Sequence, residues 1–130
     1  MHRQASHGFS AVPGGTAAGP AWLPQPTWWG GYAVAGEDAD AASMLSLYRS
    51  ALSGRRECRS AMGDRLVWID DLGDDVVAFD RGTVRVVLNL SGDRLTLPER
   101  IVARRRIELA SVPDHDDPRV VPADAAVWLV

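Results

Sequence analysis

The acidic residues of this chain are the first place to look for chemistry. Asp70, Asp71, Asp74 and Asp75 form one cluster, and Asp114, Asp116 and Asp117 form another. Two carboxyl groups held roughly 5–5.5 Å apart, one of them kept protonated, can cleave a glycosidic bond. Both clusters stand beside glycine or proline, where aspartate hydrogen-bonds its own backbone and makes turns. The turn assignment is the better one, and neither cluster is taken as a catalytic pair. The run Asp114-His115-Asp116-Asp117 could coordinate a metal, but no second histidine lies at ligand spacing, because His2 and His7 sit at the amino end. A solvated loop before Pro118 fits it better. Arg104-Arg105-Arg106 could bind phosphate or an acidic surface; charge guarding a strand edge is the plainer reading. Cys58 is the single cysteine, which rules out an internal disulfide, and it reads as a small buried residue rather than a nucleophile. There is no phosphate-binding glycine loop, no nucleophile elbow and no paired-cysteine zinc site. No catalytic, cofactor-binding or metal residue is therefore assigned, and no cofactor is expected.

The five tryptophans are the remaining candidates, since exposed indoles stack on sugar rings. Trp68 and Trp128 lie in strand-like segments and are expected in a core. Trp22, Trp28 and Trp29 lie in an irregular stretch and are expected to pack against a partner surface.

These residues sit on a chain of 130 residues, enough for one domain with an irregular segment. A hydrophobic share of 46% allows a packed core. A net charge of −3 gives no reason to expect nucleic acid or an anionic membrane. All the basic side chains are arginines. No apolar run reaches the ~20 residues of a membrane span, and residues 1–10 lack a signal-like apolar stretch. The expected location is cytoplasmic.

Residues 1–36 hold more than half of the twelve glycines, together with Pro13, Pro20, Pro24 and Pro26. That composition forbids a long helix. Phe9, Trp22, Leu23, Trp28, Trp29 and Tyr32 make it too apolar for a free linker, so it reads as an irregular arm covering something larger. Residues 37–59 read as one helix. Asp38 or Asp40 is placed at its start, and a buried stripe is expected at Met44, Leu47, Tyr48, Ala51 and Leu52. From residue 60 onward the period shortens to two. Six short strands are expected: Leu66-Val67-Trp68-Ile69, Val76-Val77-Ala78-Phe79, residues 84–90, residues 95–97, a strand marked by Ile107 and Leu109, and residues 126–130. Asp80-Arg81-Gly82 and Ser91-Gly92-Asp93 turn the chain. The predicted fold is mainly β: an antiparallel β-sandwich preceded by one α-helix and the arm. Its core is predicted at Leu66, Trp68, Phe79, Val84, Val86, Leu88, Leu90, Leu109, Val127 and Leu129.

Six segments in order also resemble a known family. They are His7-Gly8-Phe9-Ser10, then Ala21-Trp22-Leu23-Pro24-Gln25-Pro26, then Ser43-Met44-Leu45-Ser46-Leu47-Tyr48-Arg49 with the residues that follow to 56. After these come Val76-Val77-Ala78-Phe79-Asp80-Arg81-Gly82, Val86-Val87-Leu88-Asn89-Leu90-Ser91 and Pro122-Ala123-Asp124-Ala125-Ala126-Val127-Trp128-Leu129. Together they resemble the carboxy-terminal part of the α-glucosidases in the α-amylase family of glycoside hydrolases. The resemblance implies a final barrel helix followed by a carboxy-terminal β domain. It implies a parent enzyme hydrolysing terminal α-glucosidic bonds of oligosaccharides with retention, on a (β/α)₈ barrel. The family's catalytic aspartate, glutamate and second aspartate belong to earlier barrel strands, and none maps onto a residue here. The implied partner is the missing catalytic barrel, with an α-glucoside sugar as the parent's ligand. The chain by itself is expected to be structural and non-catalytic. Two other readings stay open: a stand-alone carbohydrate-binding β module, and a subunit completing a separately encoded barrel.

Overall fold

The computed structural model describes residues 26, 28 and 32–130. The expectations for His7 to Ser10, Trp22 to Gln25, Trp29 and most of the arm lie outside the described residues. The chain divides into two compact units, Met1–Tyr48 and Arg49–Val130.

In the first unit a single-turn helix, α1 (Val34–Glu37), precedes the start of α2 (Met44–Glu57). The start of α2 differs from the expected aspartate cap. Ser43 sits just before the helix, and its Oγ accepts from the Ser46 amide at 3.2 Å, the N-cap bond. Glu37 Oε2 accepts from the Leu45 amide at 3.2 Å. Asp40 instead closes its own turn, accepting from the Ala42 amide at 2.9 Å. Serine wins because its short hydroxyl also donates to Glu37 O at 2.7 Å, tying α1 to α2. The helical spacing of the apolar stripe is as expected, but its burial is not. Met44, Tyr48 and Leu52, at i, i+4 and i+8, are exposed.

The second unit holds a five-stranded antiparallel sheet of order β1-β2-β3-β7-β5 and a two-stranded sheet, β4-β6. The strands are β1 (Leu66–Trp68), β2 (Val76–Arg81), β3 (Val84–Asn89), β4 (Leu95–Thr96), β5 (Ile107–Ala110), β6 (Val120–Val121) and β7 (Ala125–Leu129). This is the mainly β, antiparallel fold that the sequence predicts. A seventh strand, β6, and a short helix, α3 (Glu99–Val102), were not expected. Two residues of strand and one helical turn are too short to leave a periodic trace.

The β2–β3 hairpin turns at Gly82, whose φ of +63° is open to glycine at little cost. A Cβ at Gly82 would collide with the Ala61 carbonyl oxygen, and the Thr83 amide donates to that same oxygen at 3.0 Å. Backbone packed this close to backbone leaves no room for a side chain.

The core lies on one face of the large sheet. Ala78, Val87, Ala125, Val127 and Leu129 from the sheet pack with Leu97, Ile101, Val102 and Val121. The segment from β4 through α3 thus closes over that face. Asn89 is buried on the same side and fully bonded. Its Nδ2 donates to Asp93 O at 2.7 Å and to Pro122 O at 2.9 Å, and its Oδ1 accepts from Ser91 Oγ at 2.7 Å. One side chain therefore fixes the β3–β4 turn to the β6–β7 connection.

The predicted core needs correction. Val84, Val127 and Leu129 are buried as expected, but Leu66, Trp68 and Leu90 are exposed, and Phe79, Val86, Leu88 and Leu109 are half-buried. β3 reads Val84-Arg85-Val86-Val87-Leu88-Asn89, so apolar residues occur on both of its faces. The face opposite Val86 and Leu88 wins the core, because Val87 pairs with Ala78 and Val127, which are covered.

Candidate functional site

The strand register sets a row of large side chains across the face of the main sheet opposite its core cluster, the face on which Val84 is buried. Trp68 pairs with Phe79, Phe79 with Val86, Val86 with Trp128, and Trp128 with Leu109. Directly paired residues point to the same side of a sheet, so these five form one lateral row over five strands. Val77, Leu88 and Ala126 form a second row beside it by the same register. Trp68 stands edge-on to Phe79, with ring centroids 5.5 Å apart and planes at 71°. Trp128 and Leu109 are half-buried, and Trp68 at the β1 end is exposed. Aromatic and branched side chains at every position of such a row are the composition of an interface, not of a solvated sheet face.

The charged groups of the unit serve its architecture. Arg85 donates Nε and Nη2 to the two carboxylate oxygens of Asp80, each at 2.7 Å, and Nη1 to Ile101 O at 2.9 Å. The Arg85 hydrogen bond holds the Asp80 carboxyl below its ordinary range, against the opposing effect of burial. Of the three consecutive arginines, Arg105 donates to Thr83 O at 2.7 Å and Arg106 pairs with Glu108 at 2.7 Å. The Arg106 and Val130 backbones exchange two 3.0 Å bonds, so this run anchors the chain beside edge strand β5 rather than forming a free basic patch.

The turn carboxylates do not converge. Asp70, Asp74 and Asp75 are exposed, Asp71 pairs with Arg100, and Asp117 accepts from the Arg119 amide at 2.9 Å. His115 Nε2 lies 2.7 Å from Val120 O, inside its own loop. Among the described residues, no group of three histidine, cysteine or acidic side chains could hold a metal ion. Cys58 is buried, and burial together with Glu108 and Glu57 pushes its thiol up, away from the reactive thiolate. In the first unit, Trp28 and Tyr32 meet at an interplanar angle of 81°, so they offer no common flat surface for a sugar ring.

The sequence missed the apolar row because it treated Trp68 and Trp128 as core. A signal was present: β2 and β3 are each apolar at four of six positions, on both faces, and β7 is apolar throughout, the pattern of strands covered on both faces.

No family model and no curated protein matches the chain. Solved structures do. A crystal structure of a MutB point mutant, from crystals soaked with trehalulose, matches at a TM-score of 0.59 with 22% identity, covering 84% of this chain and 22% of that one. The isomaltulose synthase of Klebsiella sp. LX3 matches at a TM-score of 0.62 with 17% identity, again covering 84% of this chain and 22% of that one. The chain therefore spans 22% of the length of the enzymes it matches. At the level of fold the expectation is borne out: the antiparallel β architecture is shared with a part of each of these two structures. Among the described residues no helix is long and apolar enough to cross a membrane.

Proposed function

We propose that this chain is the carboxy-terminal part of an α-amylase-family glycosidase, and that its role is to support a catalytic barrel. The observation that carries this reading is the shared fold: 84% of the chain superposes on a 22% portion of each of two such enzymes. The apolar row from Trp68 to Leu109 supports it, because a second apolar sheet face of that composition fits a second layer. The partner is then the barrel, joined to this segment or separately encoded, and the α-glucoside substrate binds there. The α-glucosidase specificity rests on the Trp-Leu-Pro-Gln-Pro and Ser-Met-Leu-Ser-Leu-Tyr-Arg motifs, and a cytoplasmic location goes with it.

The test is an assay of the purified chain for glucose release from maltose and isomaltose. It runs alone and after mixing with a family α-glucosidase barrel lacking its own terminal domain, with an epoxide probe that labels a glycosidase nucleophile. The expected result is no turnover and no labelling by the chain, and stabilisation or activation of the barrel on mixing. Turnover with a labelled carboxylate among these 130 residues overturns the proposal. So does measurable sugar affinity of the chain with no effect on a barrel, which selects the carbohydrate-binding module.

A further inference from the structure

β1 is an outer strand of the main sheet, with β2 on one side and no strand on the other among the described residues. Its three residues are 45%, 52% and 57% exposed, in the order Leu66, Val67 and Trp68. Natural edges are blunted by lysine, proline or a bulge. β1 has none of these; its protection is its shortness, flanked by Arg65 before and Asp70 and Asp71 after.

The direction of its free backbone groups is fixed. The Ile69 amide donates to Ala78 O at 3.0 Å, so Ile69 and, two residues back, Val67 turn their N–H and C=O groups toward β2. Leu66 and Trp68 turn theirs outward. Two β1 strands related by a two-fold can pair only in registers that oppose outward-facing residues. Centred on Val67, the pairing sets Asp64 against Asp70 of the second copy, twice, which is unfavourable. Centred on Leu66, it leaves Arg65 opposite Val67 and Asp64 opposite Trp68. Centred on Trp68, it sets Trp68 against its own copy, Val67 against Ile69, Leu66 against Asp70, and Arg65 against Asp71. The last register alone joins opposite charges, and the two-fold makes that pair twice. Asp71 already holds Arg100, so its carboxylate would lie between two guanidinium groups.

We propose that a second copy of this chain docks on β1, antiparallel and two-fold symmetric about Trp68, joining two five-stranded sheets edge to edge. The contact uses the strand edge and not the apolar face, so it stands independently of the barrel-supporting role. An interface of seven cross-strand pairs, two of them charge pairs, is below the ~1,200 Å² of stable complexes, so a weak, concentration-dependent dimer is expected.

Sedimentation velocity of the full chain, from micromolar to millimolar concentration, tests this. The expected result is a monomer–dimer equilibrium. Arg65→Asp and Asp71→Arg each weaken it about tenfold at low salt, and the double variant recovers most of the loss. Leu66→Pro removes an outward amide while leaving the β1–β2 bonds in place, and is expected to abolish the dimer. Circular dichroism confirms that each variant is folded. A monomer at all concentrations overturns the proposal. A dimer indifferent to Leu66→Pro, or a double charge swap that recovers nothing, overturns it as well.

Discussion

Asp80 and Arg85 stand directly opposite each other on β2 and β3, and the guanidinium grips both carboxylate oxygens at 2.7 Å. The same Arg85 donates to the Ile101 carbonyl at the end of α3. A cross-strand ion pair thus also fastens the segment that covers the core.

This pair makes stability depend on pH. The Asp80 carboxyl is lowered in the folded chain, so its stabilisation is fully present above the unfolded value of about 4. It is lost as pH falls through the lower, folded value. Urea midpoints measured from pH 7 downward are expected to fall below about pH 4, and Asp80→Asn to flatten that part of the curve. Asp80→Ala is expected to cost about 2 kcal/mol at pH 7, since it leaves a mostly buried guanidinium unmatched.

Glycine substitutions should separate by position. Gly82→Ala meets both a left-handed backbone and the Ala61 carbonyl, and is expected to cost more than about 2 kcal/mol. Gly54, inside α2, has open space at its Cβ position, and Gly54→Ala is expected to stabilise by about 1 kcal/mol. Thermal denaturation of the two variants beside the parent checks both signs.

Asn89→Ala strands the carbonyls of Asp93, Val121 and Pro122 and removes the acceptor for Ser91. A loss of about 3 kcal/mol is expected, read from chemical denaturation. Asn89→Asp is expected to be no better, because a carboxylate cannot donate to those carbonyls.

The exposed apolar side chains of α2 and β1 should bind a hydrophobic dye. The intact chain is expected to enhance dye fluorescence strongly, and Trp68→Gln with Leu52→Gln to reduce it. Both side chains are exposed; Leu52→Gln is expected to alter stability by under about 0.5 kcal/mol, and Trp68→Gln, which also gives up the edge-on contact with Phe79, to cost about 1 kcal/mol. A weak signal from the intact chain would show that these surfaces are covered.

Secondary structure was legible where local chemistry decides it. Gly82 and the Ser91-Gly92-Asp93 run marked turns, and the 3.6-residue spacing from Met44 marked α2. β6 and α3 were not legible, because Val120–Val121 and Glu99–Val102 are held by distant partners rather than by a repeating pattern. The Leu97 amide, for one, donates to Arg119 O at 2.8 Å.

The sequence by itself determined six of the seven strands, the principal turns and the motif likeness, because propensity, glycine placement and motif order are properties of neighbouring residues. Only the tertiary structure decided which side of each strand is inside. Apolar residues lie on both faces of β3, so periodicity leaves the choice open. The register to β2 and β7 and the cover supplied by Leu97, Ile101 and Val102 resolve it. They bury Val87 and Asn89 and turn Trp68, Phe79 and Trp128 into a row on the opposite face. Burial belongs to pairs of surfaces, and no single strand carries the information about which surface will meet it.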